Sequence, residues 1–227
     1  MKERPILFSG PMVRAILEDR KLKTRRVMTP HPGEEWWPEV GTCAYEREDG
    51  DPGPDFFGAG DENECYKSRY GAPGDRLWVR EMLRFGSRGN PKPALNHMWW
   101  YAADNQPVTV DRAFQSAMVV WAHHKEQDYC PSIFMPRWAS RITLEITDVR
   151  VQRVQEISLE DCLAEGIDVP GRERMLTIGP INRACDEAHC RAHFSQLWDS
   201  INAKRGFSWE SNPWVWALTF KRLTSNL

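Results

Sequence analysis

The sequence lacks several features, and each absence argues against a class of protein. It has no apolar run of about 18 residues, the length that a membrane-spanning helix needs, and its opening MKERPILFSG has too short an apolar stretch for a signal peptide. It also has no large excess of either charge, since 30 Lys and Arg stand against 32 Asp and Glu. We therefore expect a cytoplasmic protein with no membrane partner, which meets any anionic ligand locally rather than through bulk charge.

The motifs of several enzyme classes are also absent. No G-x-S-x-G elbow, P-loop or G-x-G-x-x-G stretch occurs, which argues against nucleoside triphosphate or dinucleotide chemistry, and no cofactor is predicted. The six cysteines include no C-x-x-C pair, which favours free thiols. Cys185, His189 and Cys190 form the tightest group of metal-ligand residue types, but Cys190 falls on the apolar face of a predicted helix. We predict no metal site.

The pattern of apolar residues predicts an α+β fold. Strands are expected at PILF, LWVR, SRITLEITDVRVQRV and NPWVWALTFKRL, and the long third strand changes its inward face near Thr147 and Asp148. Helices are expected at about 10–20, at ISLEDCLAEGI, where Ser158 and Asp161 resemble a capping box, and at DEAHCRAHFSQLWDSIN. Between these blocks lie irregular insertions at about 29–73, 84–130 and 168–184, and a strand is expected at HMWWYAAD inside the second of them. The whole chain is predicted to form one domain around a small mixed or antiparallel β-barrel flanked by helices.

Eleven tryptophans are the most unusual feature of the composition. Trp78, Trp198, Trp214 and Trp216 share faces with other apolar residues of predicted strands and helices, which favours a place in the core. The pairs Trp36–Trp37 and Trp99–Trp100 lie in the insertions and are placed where they could stack on unpaired bases. For any single tryptophan, interior packing is the more frequent outcome.

The stretch ILEDRKLKTRRVM, residues 16–28, concentrates five basic residues around Thr24. One interpretation is a solvated basic end of the first helix. The other is a reactive site, because Lys21 and Thr24 are close enough for an amine to take the hydroxyl proton once burial or the neighbours Arg20 and Arg26 lower its pKa. In that interpretation Glu165 orients the lysine or passes on the proton, and Arg26 holds an oxyanion or a phosphate.

A resemblance to a known family favours the second interpretation. ILEDRKLKTRR is similar to the G-R-K-x-x-T-x-R signature of the activating-signal-cointegrator homology (ASCH) domain, with Asp19 in place of the usual glycine. PGDRLWVRE, ITLEITDVRVQRV, CLAEGI and WVWALTFKRL resemble further blocks of that family in order and spacing. The likeness covers about half of the chain, and MPRWASRI and LWDSIN resemble longer ASCH-domain proteins of phages and prophages. It implies a PUA-like fold, a small β-barrel flanked by helices.

The resemblance implies a function in nucleoside or RNA chemistry. Some bacterial ASCH proteins are amidohydrolases of N4-acetylcytidine, and their catalytic lysine, threonine and glutamate match Lys21, Thr24 and Glu165. Others are described as ribonucleases or RNA binders, so fold alone does not decide between them. The expected partner is a nucleoside or RNA. In a binding module the same cleft would recognise a modified base. The side chains expected to contact the substrate or the base are those of Arg20, Arg26, Trp99, Trp100 and Tyr101.

Overall fold

The computed structural model describes residues 1–33, 36, 39–40, 56–58, 65–85, 99–108, 129–177 and 182–223. Across these residues the fold is mixed α+β, as the sequence predicts. The helices are α1 (Gly10–Leu17), α2 (Leu159–Ala164), α3 (Arg172–Thr177) and α4 (Arg183–Asn202). None of the helices in the described ranges is long and apolar enough to cross a membrane.

The described strands are numbered in chain order. They are β1 (Glu3–Leu7), β2 (Lys23–Val27), β3 (Glu39–Val40), β4 (Phe56–Gly58), β5 (Cys65–Lys67), β6 (Arg76–Arg80), β7 (Leu83–Phe85), β8 (Trp99–Tyr101), β9 (Tyr129–Cys130), β10 (Thr143–Arg153) and β11 (Trp214–Leu223). No closed barrel is found among the described residues, so the PUA-like barrel stays a prediction.

The chain divides into two compact units. Unit 1 comprises Met1–Glu18, Arg76–Leu144 and Arg222–Leu227, and unit 2 comprises Asp19–Asp75 and Glu145–Lys221. Each unit is therefore assembled from segments that are distant in sequence. This division into compact units does not test whether the chain forms one domain with insertions, which stays a prediction.

Unit 1 is built on β1 and β6, which pair in parallel with Glu3 opposite Arg76 and Leu7 opposite Arg80. Leu77 and Val79 share one face of β6 and are fully buried, and Trp78 on the other face is buried as well, in agreement with its predicted place in the core. β8, β7 and β9 form a small antiparallel sheet in that order. β8 lies in HMWWYAAD, where the sequence predicts a strand, and both β8 and β9 fall within the insertion predicted at about 84–130.

Unit 2 contains the antiparallel pair of β11 and β2, and β10 neighbours β11. In β11 the five residues from Trp214 to Leu218 are all buried, which explains why the strand reads as a continuous apolar run. β10, whose first two residues belong to unit 1, buries Leu144 and Ile146 and then Val149, three positions on, so the predicted change of inward face is confirmed. β3, β4 and β5 form a second antiparallel sheet inside the stretch 29–73.

The long helix α4 confirms most of its predicted apolar face. Cys190, Phe194 and Trp198 are buried in the hydrophobic cluster of unit 2, together with residues of α2 and α3. Ile201 is an exception, because it is exposed where its spacing predicts burial. α3 lies in the stretch 168–184, which the sequence predicts as irregular, and contributes Met175 to the same cluster.

The first helix ends earlier than predicted. α1 stops at Leu17 rather than near residue 20, and Asp19 adopts a left-handed conformation with φ of 54°. Glycine takes this conformation at little cost, and Asp and Asn are the next best suited residues. Asp19 thus holds a backbone conformation that glycine would adopt at less cost. Because the turn lies here, Lys21 is not part of the helix end.

Candidate functional site

The strand β2 sorts the basic residues of the stretch 16–28 onto two faces. Successive side chains of a strand point to opposite sides, so Lys23 and Arg25 share one face and Thr24 and Arg26 share the other. Thr24 is buried and lies opposite Leu218 of β11. The stretch that looks like one basic cluster in the sequence is therefore two sets of side chains with different surroundings.

The short helix α2 supplies the opposing carboxylates. Its first turn is capped as predicted, since the Ser158 hydroxyl oxygen accepts a hydrogen bond from the Asp161 backbone N–H. Gly166, with φ of 73°, follows the last turn. Asp161 and Glu165 are four positions apart, which places both carboxylates on the same side of the helix. Both are buried.

Lys21 and Glu165 form the closest contact of the site. The Lys21 Nζ donates hydrogen bonds to the Glu165 Oε2 at 2.7 Å and to the Glu165 backbone oxygen at 2.9 Å. The two backbones also form an antiparallel bridge, and the Leu22 N–H donates to the Ala164 oxygen. Lys21 is 1% exposed and Glu165 is 5% exposed. The structure thus brings together two of the three residues predicted to be catalytic, 144 positions apart in sequence.

The Lys23–Arg25 face of β2 completes a network of charges. Arg25 Nη1 lies 3.2 Å from Glu165 Oε1, and Arg25 Nη2 donates to Asp161 Oδ2. Lys23 Nζ donates to Asp161 Oδ1, and Arg150 Nη2 lies 3.3 Å from Asp161 Oδ2. Two buried carboxylates are therefore bonded by four basic side chains. We call these six residues the charged cluster: Lys21, Lys23, Arg25, Arg150, Asp161 and Glu165.

Burial and charge act differently on the members of the cluster. Burial lowers the pKa of the Lys21 amine, and the Glu165 carboxylate offsets only part of that effect. For Asp161, burial acts to raise the pKa, but the hydrogen bond from Lys23 and the charge of Arg25 outweigh it and hold the pKa below 3.8. Lys21 is consequently the cation of the site that loses its proton more readily than an exposed lysine does, whereas Asp161 stays ionised.

Arg26 lies on the Thr24 face and is partly buried. Burial is the main cause that lowers the pKa of its guanidinium, and the charges of Tyr70, Glu165, Arg205 and Arg69 also act on that pKa. Arg69 and Arg205 are exposed. The face of β2 that carries Thr24 and Arg26 is thus within electrostatic range of Glu165, and it is surrounded by further positive charge.

The other predicted binding residues lie elsewhere or serve the backbone. Arg20 donates to the Gly166 oxygen at 3.1 Å and so supports the end of α2. Trp99 and Tyr101 are buried in the hydrophobic cluster of unit 1, where the Tyr101 hydroxyl donates to the Ala139 oxygen. Trp100 is half-buried on the same strand. A stacking role for these aromatic residues stays a prediction, and the burial of Trp99 and Tyr101 does not favour it.

The residues considered as metal ligands are separated by their burial. Cys190 is buried with its sulfur 3.8 Å from that of Met175, whereas Cys185 is exposed. The His189 and His193 rings contact each other on α4, with centroids 4.7 Å apart. Within the described ranges no group of three or more His, Cys, Asp or Glu side chains is arranged to hold a metal ion. His123, His124 and Trp37 lie outside the described residues.

Asp161, Lys23 and Arg25 belong to the site although the sequence does not single them out, and Lys23 and Arg25 are predicted there only as part of a charged helix exit. A signal for them exists in the sequence. Asp161 precedes Glu165 by four positions on a predicted helix, and Lys23 and Arg25 alternate with Thr24 and Arg26 as strand residues do. What the sequence does not contain is the pairing of the helix with the strand.

Comparisons with known proteins do not place the chain in a family. No protein-family model, curated protein or solved structure matches it. The resemblance to ASCH domains therefore stays a prediction, and the function is argued from the charged cluster.

Proposed function

We propose that the chain is a cytoplasmic PUA-like hydrolase that cleaves the amide of an acylated, cytidine-like nucleoside, either free or within RNA. The observation that supports this most directly is the buried contact of 2.7 Å between Lys21 Nζ and Glu165 Oε2. A lysine held in hydrogen-bond contact with a carboxylate, with its pKa lowered by burial, gives up its proton more readily than an exposed lysine does and is suited to proton transfer.

The proposed reaction uses Thr24 as the nucleophile. The neutral amine of Lys21 accepts the Thr24 hydroxyl proton while the oxygen attacks the acyl carbonyl carbon. The carbon–nitrogen bond then breaks, and the proton passes from Lys21 through Glu165 to the departing nucleoside amine. Water hydrolyses the resulting acyl-threonine ester, which releases the carboxylic acid and restores the hydroxyl.

The charges around the cluster support an electron-rich substrate. The tetrahedral intermediate carries a negative oxygen, which a fixed cation stabilises. Arg26 shares a face with Thr24, and its charge interacts with that of Glu165. The exposed Arg69 and Arg205 add positive charge near Arg26, which would favour a nucleotide phosphate if the nucleoside is part of an RNA.

One observation favours binding without turnover as a second function. Lys21, Thr24 and Glu165 are each no more than 5% exposed, so these three side chains are closed to solvent in this conformation. A groove of about 460 Å³ in unit 2 runs instead along α4 and is lined by Ala188, Arg191, Ala192 and Trp209 among others. Hydrolysis therefore requires the cluster to open to the substrate, whereas recognition by the partly exposed Arg26 does not.

The test is acetate release from N4-acetylcytidine and from RNA that contains it. We expect turnover by the wild-type chain, and a loss of about 100-fold or more in Lys21→Met and Glu165→Gln, because each removes a proton-transfer group. The matched control is Lys221→Met, which breaks a partly exposed Lys221–Glu145 pair of similar length, 2.8 Å, and should leave turnover unchanged. Circular dichroism verifies that each variant is folded.

Three outcomes would contradict the proposed amide hydrolysis. Binding of the nucleoside without acetate release supports the binding module. Cleavage of the RNA backbone supports a ribonuclease. Full activity in folded Lys21→Met removes the lysine from the mechanism, whatever the substrate.

A further inference from the structure

Unit 1 presents a face where arginines and aromatic rings lie together. Arg76, Trp78 and Arg80 are alternate residues of β6, so they share one face of the strand, opposite to Leu77 and Val79. Trp78 is buried at 8% exposed, and the arginines on either side of it are half-buried. The Arg80 guanidinium lies 4.6 Å from the centre of the Trp78 ring, and that of Arg137 lies 5.8 Å from the same centre. One ring thus carries two guanidinium groups.

Exposed apolar side chains lie next to these arginines. Arg80 Nη1 donates to the Ile133 backbone oxygen at 3.1 Å, within the short helical turn Ser132–Phe134. Ile133 is 58% exposed and Phe134 is 63% exposed. We call Arg76, Trp78, Arg80, Arg137, Ile133 and Phe134 the basic-aromatic face. Among the described residues of unit 1, the carboxylate that contacts this face is that of Glu3, which lies 3.1 Å from Arg137 Nε.

The charge of unit 1 differs from that of the whole chain. The chain has a formal net charge of −2, but the described residues of unit 1 carry nine Lys and Arg against four Asp and Glu. Two of those four carboxylates, Glu81 and Asp104, are bonded to Arg141. The chain is near neutral as a whole, but unit 1 carries an excess of positive charge, so it could bind an anionic partner.

We propose that the basic-aromatic face binds single-stranded nucleic acid. Arg80 and Arg137 contact backbone phosphates, and Phe134 stacks on an unpaired base. Stacking on Trp78 orders the Arg80 guanidinium in advance, so less side-chain freedom is given up when a phosphate binds. A single strand fits better than a duplex because an exposed ring can stack only on a base that is unstacked from its neighbours. The proposal does not use the charged cluster, so it stands whether or not the chain is a hydrolase.

The experiment is fluorescence anisotropy of labelled oligouridylate and oligothymidylate of about 12 nucleotides, titrated with the full chain over a range of salt. We expect an association constant whose logarithm falls linearly with the logarithm of salt concentration. The double variant Arg80→Gln/Arg137→Gln should bind more weakly, and its salt slope should be smaller by about 0.7 for each phosphate that is no longer neutralised. Its control is Arg183→Gln, which removes one charge and one exposed ion pair of unit 2 and leaves affinity unchanged.

The stacking step has its own matched pair of variants. Phe134→Ala should weaken binding about 5- to 100-fold, which is the usual effect of removing an aromatic ring on which one base stacks. The salt slope should change little. Leu176→Ala removes a similarly exposed apolar side chain from unit 2 and should have no effect. The proposal is overturned if the wild-type chain binds neither oligonucleotide at about 50 mM salt, as expected of a face that binds a protein or a membrane. It is overturned equally if the Arg80→Gln/Arg137→Gln variant and Arg183→Gln lose the same affinity.

Discussion

Replacing Glu165 with leucine tests how far the charged cluster depends on its buried pair. The substitution removes the 2.7 Å contact with Lys21 and the 3.2 Å contact with Arg25. Lys21 then keeps its bond to the backbone oxygen of residue 165, but it stays 1% exposed without the carboxylate. Arg25 keeps its bond to Asp161. The main cost therefore falls on Lys21.

The size of that cost follows from the desolvation of the amine. Breaking a buried ion pair by removing one partner typically costs about 3–5 kcal/mol, because the remaining charge is left in a poorly solvating environment. We expect Glu165→Leu to fall in this range. Lys21→Met should cost less, about 1–3 kcal/mol, since Glu165 keeps Arg25 as a partner. The double variant removes both charges together and should recover about 2 kcal/mol or more relative to additivity.

Urea unfolding, followed by both tryptophan fluorescence and circular dichroism, measures these differences. For a chain of this size, 1 kcal/mol corresponds to about 2–4 °C in melting temperature, so Glu165→Leu should melt roughly 6–20 °C below wild type. The exposed pair of Lys221 and Glu145 provides the control, and Lys221→Met should cost about 1 kcal/mol or less. A cost of less than 1 kcal/mol for Glu165→Leu would refute the reasoning, and so would a double variant whose destabilisation equals the sum of the single values.

Two further predictions concern Asp161 and Asp19. The folded-state pKa of Asp161 lies below its ordinary value of 3.8, so its contribution to stability is full above that pH and is lost as the pH falls toward the lowered value. Asp161→Asn should therefore be less stable than wild type at pH 7 but should lose less additional stability between about pH 4 and pH 2 in an acid titration. A variant with the same pH profile of stability as wild type would contradict the assignment. Because Asp19 has φ of 54°, Asp19→Gly should melt at or above the wild-type temperature, whereas Asp19→Ala should lower the free energy of unfolding by about 1 kcal/mol. Equal melting temperatures for the two variants would show that the left-handed turn does not constrain this position.

The elements that could be predicted from the sequence are those whose signals are local. The apolar period of α4, the run of buried residues in β11 and the cap of α2 by Ser158 each follow from residues a few positions apart. The early end of α1 also has a local cause, the turn at Asp19, but an aspartate does not mark a turn as plainly as glycine does. Ile201 fits the apolar period and is nevertheless exposed, because an apolar period shows which residues share a face of a helix but not how far the core extends along that face.

The charged cluster could be predicted only in part. The resemblance to ASCH domains singles out Lys21, Thr24 and Glu165, and the structure places Lys21 against Glu165. Asp161 and Arg25 carry no such mark. Their contact joins residues 136 positions apart, and it depends on α2 packing beside β2, which no local pattern specifies.

The composition of the charged cluster bears on whether it is only structural. A buried ion pair is weak evidence for stability, since well-packed apolar residues of similar volume often serve as well or better. Here the carboxylates of Asp161 and Glu165 are buried together with Lys21 and Arg25, whereas Lys23 and Arg150 are partly exposed, so two anions and two cations are desolvated. Such an arrangement costs folding energy that a transferable proton or an anionic ligand would justify. The recovery expected in Lys21→Met/Glu165→Leu therefore has a functional meaning: a chain that regains stability but loses turnover has kept this pair for chemistry, whereas one that regains stability and keeps its turnover has not.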